Sequence, residues 1–144
     1  MKKLILLALL CSTCMAKDLY LTPTSIVSAD VFVVGGQTYK IDGIQPPAGE
    51  WGRIAKAVME QMIQGKEFKF LYFPARNKSK HEKIRHVYFG IFGRDGKPQP
   101  NAAVKLLQMG LARFSRGSID DNRVKPYLPA EKSARNNKLG IWSK

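Results

Sequence analysis

The sequence predicts an α+β domain built around a small β-barrel, and three observations carry the prediction. Between Ile26 and Ile44 the apolar residues are β-branched or aromatic and are interrupted by Gly35-Gly36, the mark of a hairpin. At Glu50, and again near Asn101 and Pro129, the apolar spacing changes to that of a helix. Strands thus gather early and helices late, the order expected of an α+β domain. Closing a small sheet into a barrel is the economical way to remove its edges.

The first 16 residues stand apart from this pattern. Lys2 and Lys3 give a positive start, Leu4 to Leu10 an apolar run, and Cys14-Met15-Ala16 an ending before Lys17. That order reads as a secretory signal peptide over 1–16, with the domain over 17–144, and the apolar run is too short to span a bilayer. A lipid-modified cysteine needs a small residue before it, whereas Leu10 precedes Cys11 and Thr13 precedes Cys14, which argues against lipidation. Cleavage removes both cysteines, so the exported protein has neither disulfide nor thiolate chemistry. The expected location is a bacterial periplasm or the medium. No later stretch approaches membrane-spanning length.

Within the domain, Val31 to Val34 and Thr38 to Ile44 form the arms of the hairpin, after a strand holding Ile26 and Val27. Pro46-Pro47 then stops the sheet, because neither residue can donate to a ladder. From Glu50 to Gln64 the residues Ile54, Val58 and Met62 fall four apart, and Gly65 stands where a helix would end. Phe68, Phe70 and Tyr72 alternate with Lys69, Leu71 and Phe73, which predicts a strand over 67–73. A further strand is expected over 84–92, a turn at Asp95-Gly96, a short helix over 101–109 closed by Gly110, and a last helix over 129–138 with Pro129 in its first turn. Glu131 and Arg135 are spaced to pair on that helix.

Without the leader, the chain keeps 22 basic and 11 acidic residues, a net charge of +11. Such an excess suits a polyanionic partner. It is concentrated between Lys66 and Arg85, where seven basic residues meet two acidic ones. Arg76-Asn77-Lys78-Ser79-Lys80 reads there as an exposed loop, so Arg76, Lys78, Lys80 and Lys83 are the candidate phosphate contacts. His81 and His86 flank the segment with no cysteine or acid at ligand spacing, which argues against zinc. Tyr72, Tyr88 and Phe92 are candidates for base stacking, although strand aromatics more often serve a core. Trp142 reads as a plug under the last helix.

Several of these stretches resemble the staphylococcal nuclease family. Ala29-Asp30-Val31-Phe32-Val33-Val34 and Tyr39-Lys40-Ile41-Asp42-Gly43-Ile44-Gln45-Pro46-Pro47 are similar to its opening, which reads Asp-Gly-Asp-Thr, a strand, an Arg-Leu pair, then Gly-Ile-Asp-x-Pro-Glu. Asn101, Leu106 and Gly110-Leu111-Ala112 resemble its middle helix. Ala130-Glu131, Ala134-Arg135 and Lys138-Leu139-Gly140-Ile141-Trp142-Ser143 resemble its last helix and tail. The resemblance implies a five-stranded OB-fold barrel with three α-helices. It also implies calcium-dependent phosphodiester hydrolysis: two aspartates hold the metal, a glutamate readies water, and two arginines neutralise the phosphate.

Position by position, that set is depleted. Asp30 matches the first metal aspartate, but Gln45 stands at the second and brings no charge, so calcium binding should be weak. Ala48 stands at the base. Lys40 stands at the first arginine, keeping charge but losing the planar fork, and Arg85 matches the second. Glu50 is a stand-in base by position, although an acid in the first turn of a helix is also favoured by the dipole. Asp42 matches no catalytic position and reads as structural.

Three functions remain open at this level. The leading one is an exported nuclease-like OB protein that binds DNA or RNA with phosphodiesterase activity lost or strongly impaired. The second is an active metal-dependent endonuclease using Asp30, Gln45 and Glu50. The third is an envelope adaptor that contacts only proteins.

Overall fold

The computed structural model describes residues 17–72, 84–89, 101–116 and 125–144. Among the described residues, eight strands and three α-helices follow one another: β1 (Lys17–Leu21), β2 (Ser25–Ser28), β3 (Val31–Val34), β4 (Gln37–Ile41), β5 (Ile44–Gln45), α1 (Gly49–Ile63), β6 (Phe68–Tyr72), β7 (Ile84–Phe89), α2 (Ala102–Gln108), β8 (Arg113–Phe114) and α3 (Tyr127–Asn136), with a short 3-10 turn at Gly140–Trp142. The main sheet has the order β1-β6-β7-β4-β3-β2, and β5 pairs with β8 in a small second sheet. Every neighbouring pair is antiparallel except β4 and β7, which run parallel.

Two short turns at the front of the chain are dictated locally. Gly35 and Gly36 both have positive φ, 54° and 80°, the geometry a two-residue hairpin turn requires. The hairpin register then sets Phe32 opposite Tyr39. Their rings stack at 5.4 Å, and Phe70 meets Phe32 at 5.0 Å, so three strands supply the centre of the core.

The α+β prediction holds, and three helices with these strands are consistent with an OB-type domain. β1, which the sequence pattern did not mark, extends one edge, and β2 forms the other. Among the described residues the sheet does not close on itself. Helix α1 packs on β2, and its end is bonded to the chain just before that strand: Gly65 N donates to Pro23 O at 2.8 Å.

The buried row of α1 lies one residue on from the expected one. Ala55, Met59 and Ile63 are the buried residues, while Ile54 is 38% exposed. Ala55 explains the rotation, since its small side chain lets the helix come close to the sheet. In α2 the Asn101 side chain accepts from Val104 N at 3.2 Å, an N-cap. The helix ends in a Schellman motif: Gly110 N reaches Leu107 O and Leu111 N reaches Leu106 O, at 3.0 and 2.8 Å.

Helix α3 begins at Tyr127, so Pro129 is its third residue, still in the turn whose N–H groups lack partners. The tail folds back over α2, where Ile141 N donates to Gly110 O at 3.0 Å. A Cβ at Gly110 would lie 2.2 Å from Leu139 O, and one at Gly140 would lie 2.2 Å from Gly110 O. Only glycine permits that crossing.

Candidate functional site

Asp30 sits in the turn between β2 and β3, where a β-bulge separates Ile26 from Ser28 in the ladder. The turn is fixed by Ile41 N, which donates to Asp30 O at 2.7 Å. One carboxylate oxygen is hydrogen-bonded and the other faces a more distant ammonium. Ser28 Oγ donates to Oδ1 at 2.6 Å, and Lys40 Nζ lies 3.6 Å from Oδ2. The Asp30 side chain is 8% exposed and that of Lys40 41%, so the carboxylate is the inner member and the ammonium reaches outward.

The parallel pairing of β4 with β7 sets Lys40 opposite His86, which places both on one face of the sheet. Asp42 follows β4 directly, its backbone N bonded to Val87 O at 3.0 Å. Its Oδ1 lies 2.7 Å from His86 Nδ1. Gln45 in β5 pairs with Arg113 in β8, and Ser115 N donates to Gly43 O at 3.0 Å. Asp30, Lys40, Asp42, Gln45, His86 and Ser115 thereby line one open cleft of about 380 Å³.

Of the residues singled out in the sequence, Asp30, Lys40 and Gln45 converge on this cleft. Arg85 does not line it: its partner in the ladder is the core residue Tyr39, one position off the face that carries Lys40 and His86. Glu50 is exposed in the first turn of α1 and is not among the cleft residues. Arg76, Lys78, Lys80 and Lys83 lie outside the described residues, as do His81, Phe92 and the side chains of Tyr72 and Tyr88. Trp142 is half-buried rather than a plug, with the guanidinium groups of Arg113 and Arg135 at 4.9 and 4.2 Å from its ring.

Three polar cleft residues were missed, Ser115, Asp42 and His86. Asp42 reads as structural in the sequence, and its carboxylate in fact faces the cleft. His86 stands out there only as an unconvincing metal ligand. The signal that unites them is the register of a parallel strand pair, which residue spacing alone does not reveal.

The acidic set does not fit a calcium ion. Calcium takes about six to eight oxygen ligands, several of them carboxylate. Here one Asp30 oxygen accepts from a hydroxyl and the other lies 3.6 Å from an ammonium, Gln45 offers a neutral amide, and Ala48, the N-cap of α1, offers no side-chain ligand. No group of three or more His, Cys, Asp or Glu side chains is placed to hold a metal among the described residues.

An α+β domain in this element order, with a polar cleft beside the β3–β4 hairpin, is consistent with an OB-type fold. The model of the family described as staphylococcal nuclease homologue matches residues 33–144, and the chain belongs to that family. Membership points to a nuclease-related function. A comparison with curated proteins gives no match. Among the described residues no helix is long and apolar enough to cross a membrane.

Proposed function

We propose that the protein is exported, binds nucleic acid through its basic surface, and has lost most or all of the calcium-dependent phosphodiester hydrolysis of its family. One observation carries the reading. The cleft keeps a cation, Lys40, at the position of a phosphate-neutralising arginine, while Asp30, at the position of the first metal aspartate, is paired with that cation. A site so arranged attracts phosphate more readily than it holds calcium. The basic residues at Arg76, Lys78, Lys80 and Lys83, together with exposed Arg85, extend the positive charge along the chain next to β7. Export rests on the leader pattern, and the sheet takes in the chain from Lys17 onward.

The test uses protein recovered from the periplasm or medium, with intact mass confirming a start near Lys17. Fluorescence anisotropy with labelled DNA and RNA should show affinity falling steeply with salt, log K dropping by about 0.9 per phosphate neutralised on duplex DNA. Replacing Lys78, Lys80 and Lys83 together by Ala should weaken binding and flatten the slope. Binding indifferent to salt and to these lysines would replace this reading with that of a protein-contacting adaptor.

A further inference from the structure

Beside the cleft, one indole carries two guanidinium groups. Arg113 Cζ lies 4.9 Å from the centre of the Trp142 ring, and Arg135 Cζ lies 4.2 Å from it, so the two charges are no farther apart than those distances together. Each cation is attracted by the ring face, but the two repel one another, and among the described residues Glu131 alone pairs with either. Its Oε2 lies 3.3 Å from Arg135 Nη2, and its Oε1 is taken by Phe114 N at 3.1 Å. Arg113 is exposed and has no hydrogen bond or ion pair among the described residues. The indole therefore fixes where that guanidinium sits while its N–H donors stay open. Trp142 Nε1 is buried with no acceptor among the described residues, so packing and the two cations hold the ring.

The stack also borders the cleft. In the β5–β8 ladder Arg113 is opposite Gln45, and opposed side chains share a face, with Cβ atoms about 4.5–5.5 Å apart. Gln45 lines the cleft, as does Ser115. Between Arg113 and Ser115, Phe114 meets the buried Tyr127 edge-on at 6.5 Å, which leaves its two neighbours on the opposite, cleft side. We propose that Arg113 and Arg135, seated on Trp142, form a second phosphate site that receives the nucleic-acid backbone where it leaves the cleft past Gln45. The proposal rests on the reading that nucleic acid occupies the cleft beside Lys40. A guanidinium is planar and carries its donors in that plane, so contact with a ring leaves them available as a fork for two phosphate oxygens. An incoming phosphate also offsets the repulsion between the two arginines, which a neutral ligand does not. The ligand is thus the anionic backbone, and the site is indifferent to base sequence.

The experiment titrates single-stranded DNA and RNA into the natural protein and into Arg113 variants. Anisotropy over a range of salt reads affinity and its salt slope. NMR follows the indole N–H signal of Trp142, told apart from that of Trp51, the other tryptophan, by Trp51→Phe. The Trp142 signal of the natural protein should shift on binding. Arg113→Ala should weaken binding about tenfold, near the lower end for a hydrogen bond between charged groups, and make the slope shallower by about 0.7, one phosphate's share on a single strand. Arg113→Lys keeps the charge, so it should keep the slope while losing part of the affinity with the fork. Arg113→Gln is the second variant should alanine disturb β8, with circular dichroism confirming its fold. Binding with an unmoved Trp142 signal, or with an unchanged slope in both neutral Arg113 variants, overturns the second site and leaves the cleft reading standing. Absence of binding by the natural protein overturns that reading itself.

Discussion

Glu131 holds the strand that borders the cleft, and its replacement by alanine is expected to destabilise the protein by about 2 kcal/mol, most of it from one hydrogen bond to a charged acceptor. The side chain is 10% exposed. Oε1 accepts from Phe114 N in β8 at 3.1 Å, and Oε2 lies 3.3 Å from Arg135 Nη2. A hydrogen bond to a charged group contributes about 1.5–3 kcal/mol. The ion pair adds little, because Arg135 is 54% exposed and exposed pairs at this spacing are worth about 0.3–0.5 kcal/mol. Alanine's better helix propensity offsets that small term. Glu131→Gln keeps an oxygen for Phe114 N and should lose about 1 kcal/mol or less, a neutral bond standing in for a charged one. Urea unfolding followed by tryptophan fluorescence measures both, with an unchanged denaturant slope as the check on a two-state comparison. If glutamine proves as harmful as alanine, or alanine nearly neutral, the bond to Phe114 is not what holds β8.

Three further outcomes are expected. The natural protein should show little or no calcium-stimulated cleavage, and Gln45→Asp or Ala48→Glu alone should help little. Both together should raise the initial rate by more than the product of the single effects, as for residues acting as a unit; a merely multiplicative gain would deny them those roles. Between β6 and β1, Lys69 Nζ lies 2.8 Å from Asp18 Oδ2, and chiefly that hydrogen bond raises the lysine above its ordinary pKa of 10.5. Stability from a raised lysine is full below the ordinary value and lost as pH climbs through the raised one. The melting temperature of the natural protein should therefore fall more steeply above that pH than that of Asp18→Asn, and parallel curves would remove the pair from the account of β1. Finally, Gly110→Ala should fail to fold or lose several kcal/mol, since a left-handed residue and a backbone clash combine. A stable alanine variant in thermal melts would show that the tail does not dock as described.

Local rules made most of the fold legible. The Gly35-Gly36 turn, the Asn101 cap, Gly110 and the four-residue spacing over α1 each act within a few residues, so the sequence displays them directly. What it hid depended on neighbours. The pattern shows that α1 has an apolar side, but the partner surface decides whether Ile54 or Ala55 is innermost. β1 was invisible because its five residues, Lys17 to Leu21, are a strand only by pairing with β6, fifty residues on. The end of α3 illustrates a local rule used against type. Lys138 takes the left-handed position, φ 51°, where glycine is usual, while Gly140 is reserved for the crossing with Gly110 two residues later. One glycine could not serve both places, and the close backbone approach has the stronger claim, because a lysine tolerates positive φ at about 1–2 kcal/mol but no side chain fits at 2.2 Å from a carbonyl oxygen.

The site divides along the same line. Asp30, Lys40 and Gln45 were legible because a family motif fixes their order along one hairpin and the segment after it. The choice between Arg85 and His86 was not legible, because adjacent strand residues point to opposite faces and the decision rests on register. With Lys40 opposite His86, a shift of one residue would have sent Arg85 to the cleft and His86 to the other side. The sequence favoured arginine on chemical grounds, as the better phosphate fork; the sheet selects histidine on geometric ones. That selection changes what the cleft can do. An arginine there would add a second fixed cation to the cleft, whereas His86 is held against the Asp42 carboxylate at 2.7 Å. Loss of the metal ligands and placement of His86 are thus separate facts about one cleft, and only the first follows from comparing motifs.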